Sequence, residues 1–149
     1  YHFENKEQIV LAVVDDTCNE IAQAARARVN PRSRDAVLDA LDALWEELDK
    51  HPEITPLLVE FCSTALRDES GKVLMAAFLE RMRRLIVETL EQSLGRAIHL
   101  LPIDKDVLAA LVLNIIEGHA IHCALQGVTP LCLEQRRSLR TLLTMVGNL

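Results

Sequence analysis

Apolar residues recur at helical spacing along nearly the whole chain, and no stretch alternates apolar and polar residues with a period of two. This periodicity predicts an all-α fold without a β-sheet. Pro and Gly interrupt the pattern at short intervals, which divides it into six predicted helices. Those helices span residues 6–29, 33–50, 55–68, 70–94, 104–126 and 131–146.

Residue types that favour helix ends support these bounds. Asn5, Ser70 and Asp104 can each accept a hydrogen bond from a free backbone N–H group of the first turn, so we predict them as N-caps. Gly95 and Gly127 follow the last apolar residues of two helices, where glycine is the preferred terminating residue.

Length, composition and charge restrict the class of protein. The chain has 149 residues, half of them hydrophobic, which suits one domain with a real core. Its 22 acidic and 16 basic residues give a formal charge of −6, so its surface as a whole is a poor match for a polyanion. Four cysteines without a CxxC pair indicate reduced thiols in a cytoplasmic protein. The longest apolar run, 107–116, is broken by Asn114, and we therefore predict no membrane span.

The fifth predicted helix differs from the others because it has almost no polar face. A helix that is apolar all round is buried on all sides. In a domain this small it can face its own core on one side only, and a second copy of the chain would cover the other side. Gly118 and Ala120 are small enough to let a partner helix approach. The alternative is that this helix lies at the centre of a monomeric bundle.

The densest polar cluster, Glu117, His119, His122 and Cys123, lies on this same helix. The two histidines are three residues apart and can point the same way, as in helical metal sites, but no other His or Cys pair offers further ligands. We therefore favour a polar spot that lines a cavity or a dimer seam. The chain also has no nucleophile motif, no glycine-rich phosphate loop and no HExxH sequence. We predict no catalytic residue, no bound metal, no cofactor and no enzyme activity.

The predicted interior suits a small apolar ligand, because it mixes large apolar side chains with a few polar ones. At 3% of the chain, aromatic residues are too few to favour an aromatic cage for a quaternary amine. The alternative is that these are ordinary core residues. The candidate pocket residues are Trp45, Phe61, Cys62, Phe78, Met82, Asn114 and His119.

The first ten residues, YHFENKEQIV, resemble a junction found in TetR-family transcriptional regulators. In that family a Tyr-His-Phe segment closes the recognition helix of a helix-turn-helix, and a Ser/Asn-Lys-Glu segment begins the next helix. The stretch that starts at Asp104 and continues to Glu117-Gly118 is similar to the penultimate helix of many members. Residues 53–68 resemble the sixth helix of the branch that includes the choline-responsive repressors.

The resemblance implies a domain organisation. Residues 1–5 correspond to the end of the DNA-binding helix-turn-helix domain, most of which would precede this sequence. Residues 6–149 correspond to the ligand-binding and dimerisation domain, with the pocket between the fourth and eighth family helices. The last two helices of two copies are expected to form a four-helix bundle. Candidate interface residues are Val112, Ile115, Gly118, His122, Leu139, Leu142, Leu143 and Val146.

The resemblance also implies a function, that of a ligand-responsive repressor that acts as a homodimer on operator DNA. Tyr1, His2 and Lys6 would contact DNA phosphates. A small apolar effector in the core would displace the first helix and release the DNA, and residues 17–25 would meet that effector first. Two alternatives stay open: a structural helical dimer or adaptor without a ligand, and a small helical enzyme or metal-binding protein that uses His119 or His122.

Overall fold

The computed structural model describes residues 6–28, 30, 33, 35–100 and 102–147, and these ranges contain helices and no strand. The all-α prediction is therefore confirmed. A short 3-10 segment, Gly95–Leu100, joins the fourth helix to the fifth. The helices are α1 (Lys6–Ala27), α2 (Ala36–Lys50), α3 (Ile54–Ala65), α4 (Glu69–Leu94), α5 (Lys105–Gln126) and α6 (Pro130–Gly147).

Three of the predicted helix ends are confirmed in atomic detail. The Asp104 carboxylate accepts the backbone N–H groups of Asp106 at 2.8 Å and Val107 at 3.4 Å, and so caps α5. Gly95 after α4 and Gly127 after α5 have positive φ angles of 53° and 75°, which a residue with a side chain rarely adopts. The predicted cap Asn5 lies outside the described residues.

The prediction that Ser70 caps α4 is wrong, because Asp68 does so. The Asp68 carboxylate accepts the Gly71 N–H at 2.8 Å, whereas the Ser70 hydroxyl lies inside the first turn and donates to that same carboxylate. The preceding helix, α3, ends at Ala65 rather than at Asp68. Its early end leaves Asp68 free to adopt the extended backbone of an N-cap.

The connection between α1 and α2 is longer than predicted. α1 ends at Ala27 rather than at residue 29, and α2 begins at Ala36 rather than at Ser33. The Ser33 hydroxyl accepts the N–H of Asp35, and the Ser33 N–H donates to the Asn30 carbonyl. Ser33 thus stabilises a turn ahead of the helix instead of the helix itself.

The helices enclose two groups of buried side chains. The first core cluster joins α2, α4, α5 and α6 and includes Trp45, Leu90 and Val112. The second core cluster joins α1, α3 and α4 and includes Phe61 and Phe78. α4 takes part in both clusters and packs most extensively along α5.

One face of α5 is not covered by the part of the chain that the structure describes. Leu111 is 48% exposed and Ile115 is 44% exposed, and on the adjacent helix α6 Leu142 is 58% exposed. By length and composition α5 could also cross a membrane, a test that core helices of soluble proteins pass as well. α5 and α6 therefore carry exposed apolar surface that packing among the described residues does not account for.

Candidate ligand-binding cavity

A cavity of about 190 Å³ lies between the two core clusters, and all six helices contribute to its wall. Small side chains leave this space open, because Ala22 and Ala25 of α1, Ala40 of α2 and Ala120 of α5 face it. For comparison, an engineered cavity of about 150 Å³ lined by aliphatic and aromatic side chains holds benzene. The space is thus sufficient for a ligand somewhat larger than benzene.

The wall of the cavity is almost wholly apolar, as in typical small-molecule sites. α4 contributes one complete side of it with Phe78, Met82, Leu85, Ile86 and Leu90. The other apolar wall residues are Ile21, Leu41, Leu44, Leu48, Ile54, Leu58, Val112, Leu113, Ile116 and Leu143.

Arg26 is the one basic residue among the described residues of the wall, and α4 holds its guanidinium in place. Its Nε donates to Thr89 Oγ1 at 3.1 Å, and its Nη2 donates to the Leu85 carbonyl at 2.8 Å. Nη2 also lies 3.3 Å from the Glu88 carboxylate. These bonds tether the last turn of α1 to α4 at the edge of the cavity.

Glu117 is the acidic residue on the wall, and it is half-buried. Burial raises the pKa of its carboxyl above the ordinary value. In the part of the chain that the structure describes, no hydrogen bond or ion pair reaches this carboxylate. The charge of Glu117 acts on two thiols: burial, then Asp15 and then Glu117 raise the pKa of Cys18 to about 11. Burial and then Glu117 raise the pKa of Cys62.

A second concavity is an open groove between α5 and α6 on the exposed face of the protomer. At its floor lies His119, which is only 6% exposed. His119 Nε2 accepts a hydrogen bond from Arg136 Nε at 2.9 Å, and Nδ1 lies 3.2 Å from Gln135 Oε1. This pairing requires a neutral imidazole with its proton on Nδ1. The pKa of His119 is lowered, mainly by burial, and a lowered pKa favours this neutral form.

Arg136 connects this histidine to α2. Its two Nη atoms each lie 2.7 Å from a carboxylate oxygen of Asp49, and its guanidinium carbon lies 5.1 Å from the centre of the Trp45 ring. The Trp45 and His119 rings are 4.8 Å apart. This network fixes α6 against α2 with charged and aromatic groups, so it serves the fold rather than the cavity.

The polar cluster predicted on α5 is therefore divided around the helix. Glu117 faces the cavity, His119 faces α6, and His122 is exposed in the groove. Cys123 Sγ lies 3.4 Å from His119 Nε2. Among the described residues, no three His, Cys, Asp or Glu side chains group as a metal site.

The structure places two of the seven predicted pocket residues, Phe78 and Met82, on the cavity wall. The other five lie elsewhere: Trp45, Asn114 and His119 line the α5–α6 groove, Phe61 is in the second core cluster, and Cys62 packs against that cluster. The seven candidate pocket residues did not include Arg26 or Glu117, although the polar cluster that contains Glu117 was predicted to line a cavity or a dimer seam. The signal for Glu117 was present, since it is a carboxylate in the middle of an otherwise apolar helix.

The predicted interface residues separate into two groups. Ile115, Gly118, His122 and Leu142 are exposed and line the groove on the outer face. Val112, Leu139 and Leu143 are buried or half-buried instead; Leu139 also lines the groove, whereas Val112 and Leu143 line the cavity. The side chain of Val146 lies outside the described residues. With one chain present, the interface stays a prediction.

Of the predicted DNA contacts, the structure describes Lys6 alone. It is the first residue of α1, its side chain is 80% exposed, and its Nζ lies 4.0 Å from a carboxylate oxygen of Glu60. Tyr1 and His2, and the predicted domain boundary after residue 5, lie outside the described residues.

Comparison with known protein families identifies the domain. The profile of the BetI-type transcriptional repressor C-terminal domain matches residues 31–146, which include α2 to α5 and nearly all of α6. Comparison with curated proteins and with solved structures gave no match. The matched range exceeds half of the chain. The chain therefore belongs to the TetR family of transcriptional regulators and carries its BetI-type C-terminal domain.

Proposed function

We propose that this chain is the effector-binding and dimerising part of a ligand-responsive transcriptional repressor. The observation that carries the proposal is the cavity of about 190 Å³, to which all six helices contribute. A purely structural dimer or adaptor has no need of such a space, since protein interiors are otherwise close-packed. The apolar wall fits a small, mostly apolar effector.

The position of α1 supports a link between the cavity and DNA. Cys18, Ile21, Ala22, Ala25 and Arg26 place more than two turns of α1 on the wall. α1 is also the first described helix, and the DNA-binding domain of the family precedes it in the chain. If α1 has two positions, an effector with a higher affinity for one of them shifts the population toward that position. The coupling free energy between effector binding and DNA binding is typically 1–3 kcal/mol.

The proposed DNA complex is that of a two-fold dimer. Its two recognition helices would lie about 34 Å apart, so that they enter successive major grooves. Tyr1, His2 and Lys6 would contact phosphates, and Lys6 at the positive end of α1 is well placed to do so. Such contacts position the protein, whereas the residues that read bases belong to the helix-turn-helix domain.

The proposed dimer uses the exposed faces of α5 and α6. These faces carry large apolar residues that no other part of the described chain covers, among them Leu111, Ile115 and Leu142. A two-fold arrangement would bring the same patch of both copies together. We further propose a cytoplasmic, non-enzymatic protein. Its four free thiols fit a reducing compartment.

A cavity-filling substitution tests the proposed effector site. In a protein that includes the complete DNA-binding domain, Ala22→Leu would occupy part of the cavity from α1. Ala27→Leu is the matched control, because Ala27 lies in the same helix and is exposed. Operator affinity is measured by fluorescence anisotropy while 1-hexanol or hexylamine is titrated as a probe.

We expect a probe to weaken operator binding of the wild type and of Ala27→Leu by 5-fold or more, the lower end of typical allosteric coupling. Ala22→Leu should bind the operator but respond less than 2-fold. Equal responses of the two variants would contradict an effector site in this cavity, as would a wild type that responds to neither probe.

A further inference from the structure

We propose that the effector of this cavity is a protonated primary or secondary alkylamine whose ammonium group donates a hydrogen bond to the Glu117 carboxylate. The inference rests on the proposed function, because it takes the cavity to be the effector site. It adds the chemical class of the ligand and the residue that selects it.

The Glu117 carboxylate has no hydrogen-bond donor among the described residues. Glu117 is half-buried beside apolar wall residues such as Leu113 and Ala120. Half-burial removes part of the hydration of this carboxylate, which is unfavourable unless a partner replaces it. A ligand ammonium supplies both a positive charge and N–H donors, and charge-assisted hydrogen bonds are the strongest available.

The charge that the wall leaves available to a ligand is negative. Arg26 shares the wall, but its guanidinium is engaged by Thr89, Leu85 and Glu88. Among the described wall residues a ligand therefore meets one unengaged charge, and that charge is negative. A carboxylic acid ligand would be repelled, and a neutral ligand would leave the carboxylate without a partner.

The lining of the cavity favours an amine that carries an N–H group over a quaternary ammonium group. Phe78 is the single aromatic residue on the described wall, so the cavity offers no aromatic cage of the kind that holds quaternary ammonium groups. Recognition then depends on an N–H donor, which primary and secondary amines have and quaternary amines lack. The volume of about 190 Å³ admits a body of roughly six to eight carbon atoms, judged against benzene in about 150 Å³.

Amine binding should depend on pH in a defined direction. The charged or titratable groups around Glu117 are Cys18 from α1, Cys62 from α3 and Arg26 on the same wall, while the wall residues of α2, α4 and α6 carry no charge. Burial raises the pKa of the Glu117 carboxyl. Affinity for an amine should therefore fall as pH decreases through that raised value, because the protonated carboxyl no longer attracts the ammonium.

Isothermal titration calorimetry at neutral pH tests the proposal with three probes of the same chain length: hexylamine, 1-hexanol and hexyltrimethylammonium. The wild type should bind hexylamine at least 10-fold more tightly than either of the others. E117Q, which preserves shape and removes charge, should bind hexylamine and hexanol within 3-fold of each other. E20Q removes an exposed carboxylate from α1 and should keep the wild-type preference.

The possible failures separate the two proposals. If the wild type binds hexanol as tightly as hexylamine, and Ala22→Leu abolishes both, the amine class is wrong while the effector cavity stands. Retention of the amine preference by E117Q would likewise overturn the role of Glu117. Equal binding of hexyltrimethylammonium would contradict the requirement for an N–H donor. Absence of binding by all three probes would overturn both proposals.

Discussion

The carboxylate of Glu117, which is proposed to bind the ligand, is expected to lower the stability of the fold at neutral pH. Because burial raises its pKa, the folded state holds the proton more tightly than the unfolded state does. Its contribution to stability is therefore present below the ordinary glutamate pKa of about 4.3 and is lost as pH rises through the raised value. At neutral pH the unpartnered carboxylate should weaken the fold.

We accordingly predict that E117Q raises the free energy of unfolding at pH 7, by ~1 kcal/mol as for typical stabilising substitutions, and has little effect near pH 4. Urea denaturation at both pH values measures the difference, with E20Q as the exposed control. A destabilised E117Q at pH 7 would mean that the carboxylate has a partner within the protein.

His119 makes the opposite contribution at acidic pH. Its lowered pKa means that the neutral imidazole is favoured in the folded state, where Nε2 accepts from Arg136. The associated stability is present above the ordinary histidine pKa of about 6.5 and is lost as pH falls below it. Protonation would place a donor opposite the Arg136 donor.

From this we predict that the free energy of unfolding decreases between pH 7 and pH 5, and that His119→Gln shows a shallower decrease because glutamine cannot be protonated. His122→Gln is the matched control, since His122 is exposed on the same helix. Denaturation curves across this pH range measure the slope. Identical slopes for wild type and His119→Gln would contradict a neutral His119 that is favoured in the folded state.

At the scale of elements, capping residues predicted three helix ends correctly and misassigned one. Asp104, Gly95 and Gly127 each stand alone at a break in the apolar pattern, so the residue type was decisive. Asp68 and Ser70 are both capping types and lie two residues apart. Which of them caps α4 depends on where α3 ends, and local sequence signals locate such an end only to within a few residues.

The corrected cap can be tested by paired substitutions. Asp68→Ala should lower the melting temperature by about 3 °C, because it removes the acceptor of the Gly71 N–H. Ser70→Ala should lower it by less, since the Ser70 hydroxyl donates to Asp68 without satisfying a backbone group of the helix. Differential scanning calorimetry distinguishes the two. A larger loss for Ser70→Ala would restore serine as the cap.

The packing partner of each helix face was harder to predict than the ends of the helices. Periodicity identifies which side of a helix is apolar, but it does not identify the helix that this side meets. Phe61 and Phe78 have the same sequence signal and both lie in the second core cluster, yet of the two residues Phe78 borders the cavity and Phe61 does not. The cavity wall depends on how six helices meet, and that arrangement is not encoded in any single window of sequence.

At the scale of the whole molecule, the excess of apolar surface on α5 was predictable and its location is now defined. A helix without a polar face could be recognised from residues 107–125 alone, because composition alone determines that property. In the structure the uncovered side includes Ile115 and Leu142. Gly118 lies among them, and a Cβ atom built there meets nothing within 4 Å.

Gly118→Leu therefore separates folding from assembly. Within one copy the larger side chain has open space, and replacing glycine inside a helix favours the helix by roughly 0.5–1 kcal/mol. In the proposed dimer it would hold the partner helix away. We predict a folded variant whose dimer dissociates at least 10-fold more readily in sedimentation experiments, with Ala76→Leu on the exposed side of α4 as control. An unchanged dimer would place the interface elsewhere.

The central claim, that an effector in the cavity repositions α1 within a dimer, is tested most directly by the distance between the two copies of position 6. Lys6 is exposed at the start of α1 and can carry a spin label in each copy. Pulsed dipolar spectroscopy should give one defined distance without ligand and a distance changed by several ångströms with hexylamine or hexanol, but no change in Ala22→Leu. An identical distance with and without a bound probe would contradict the claim.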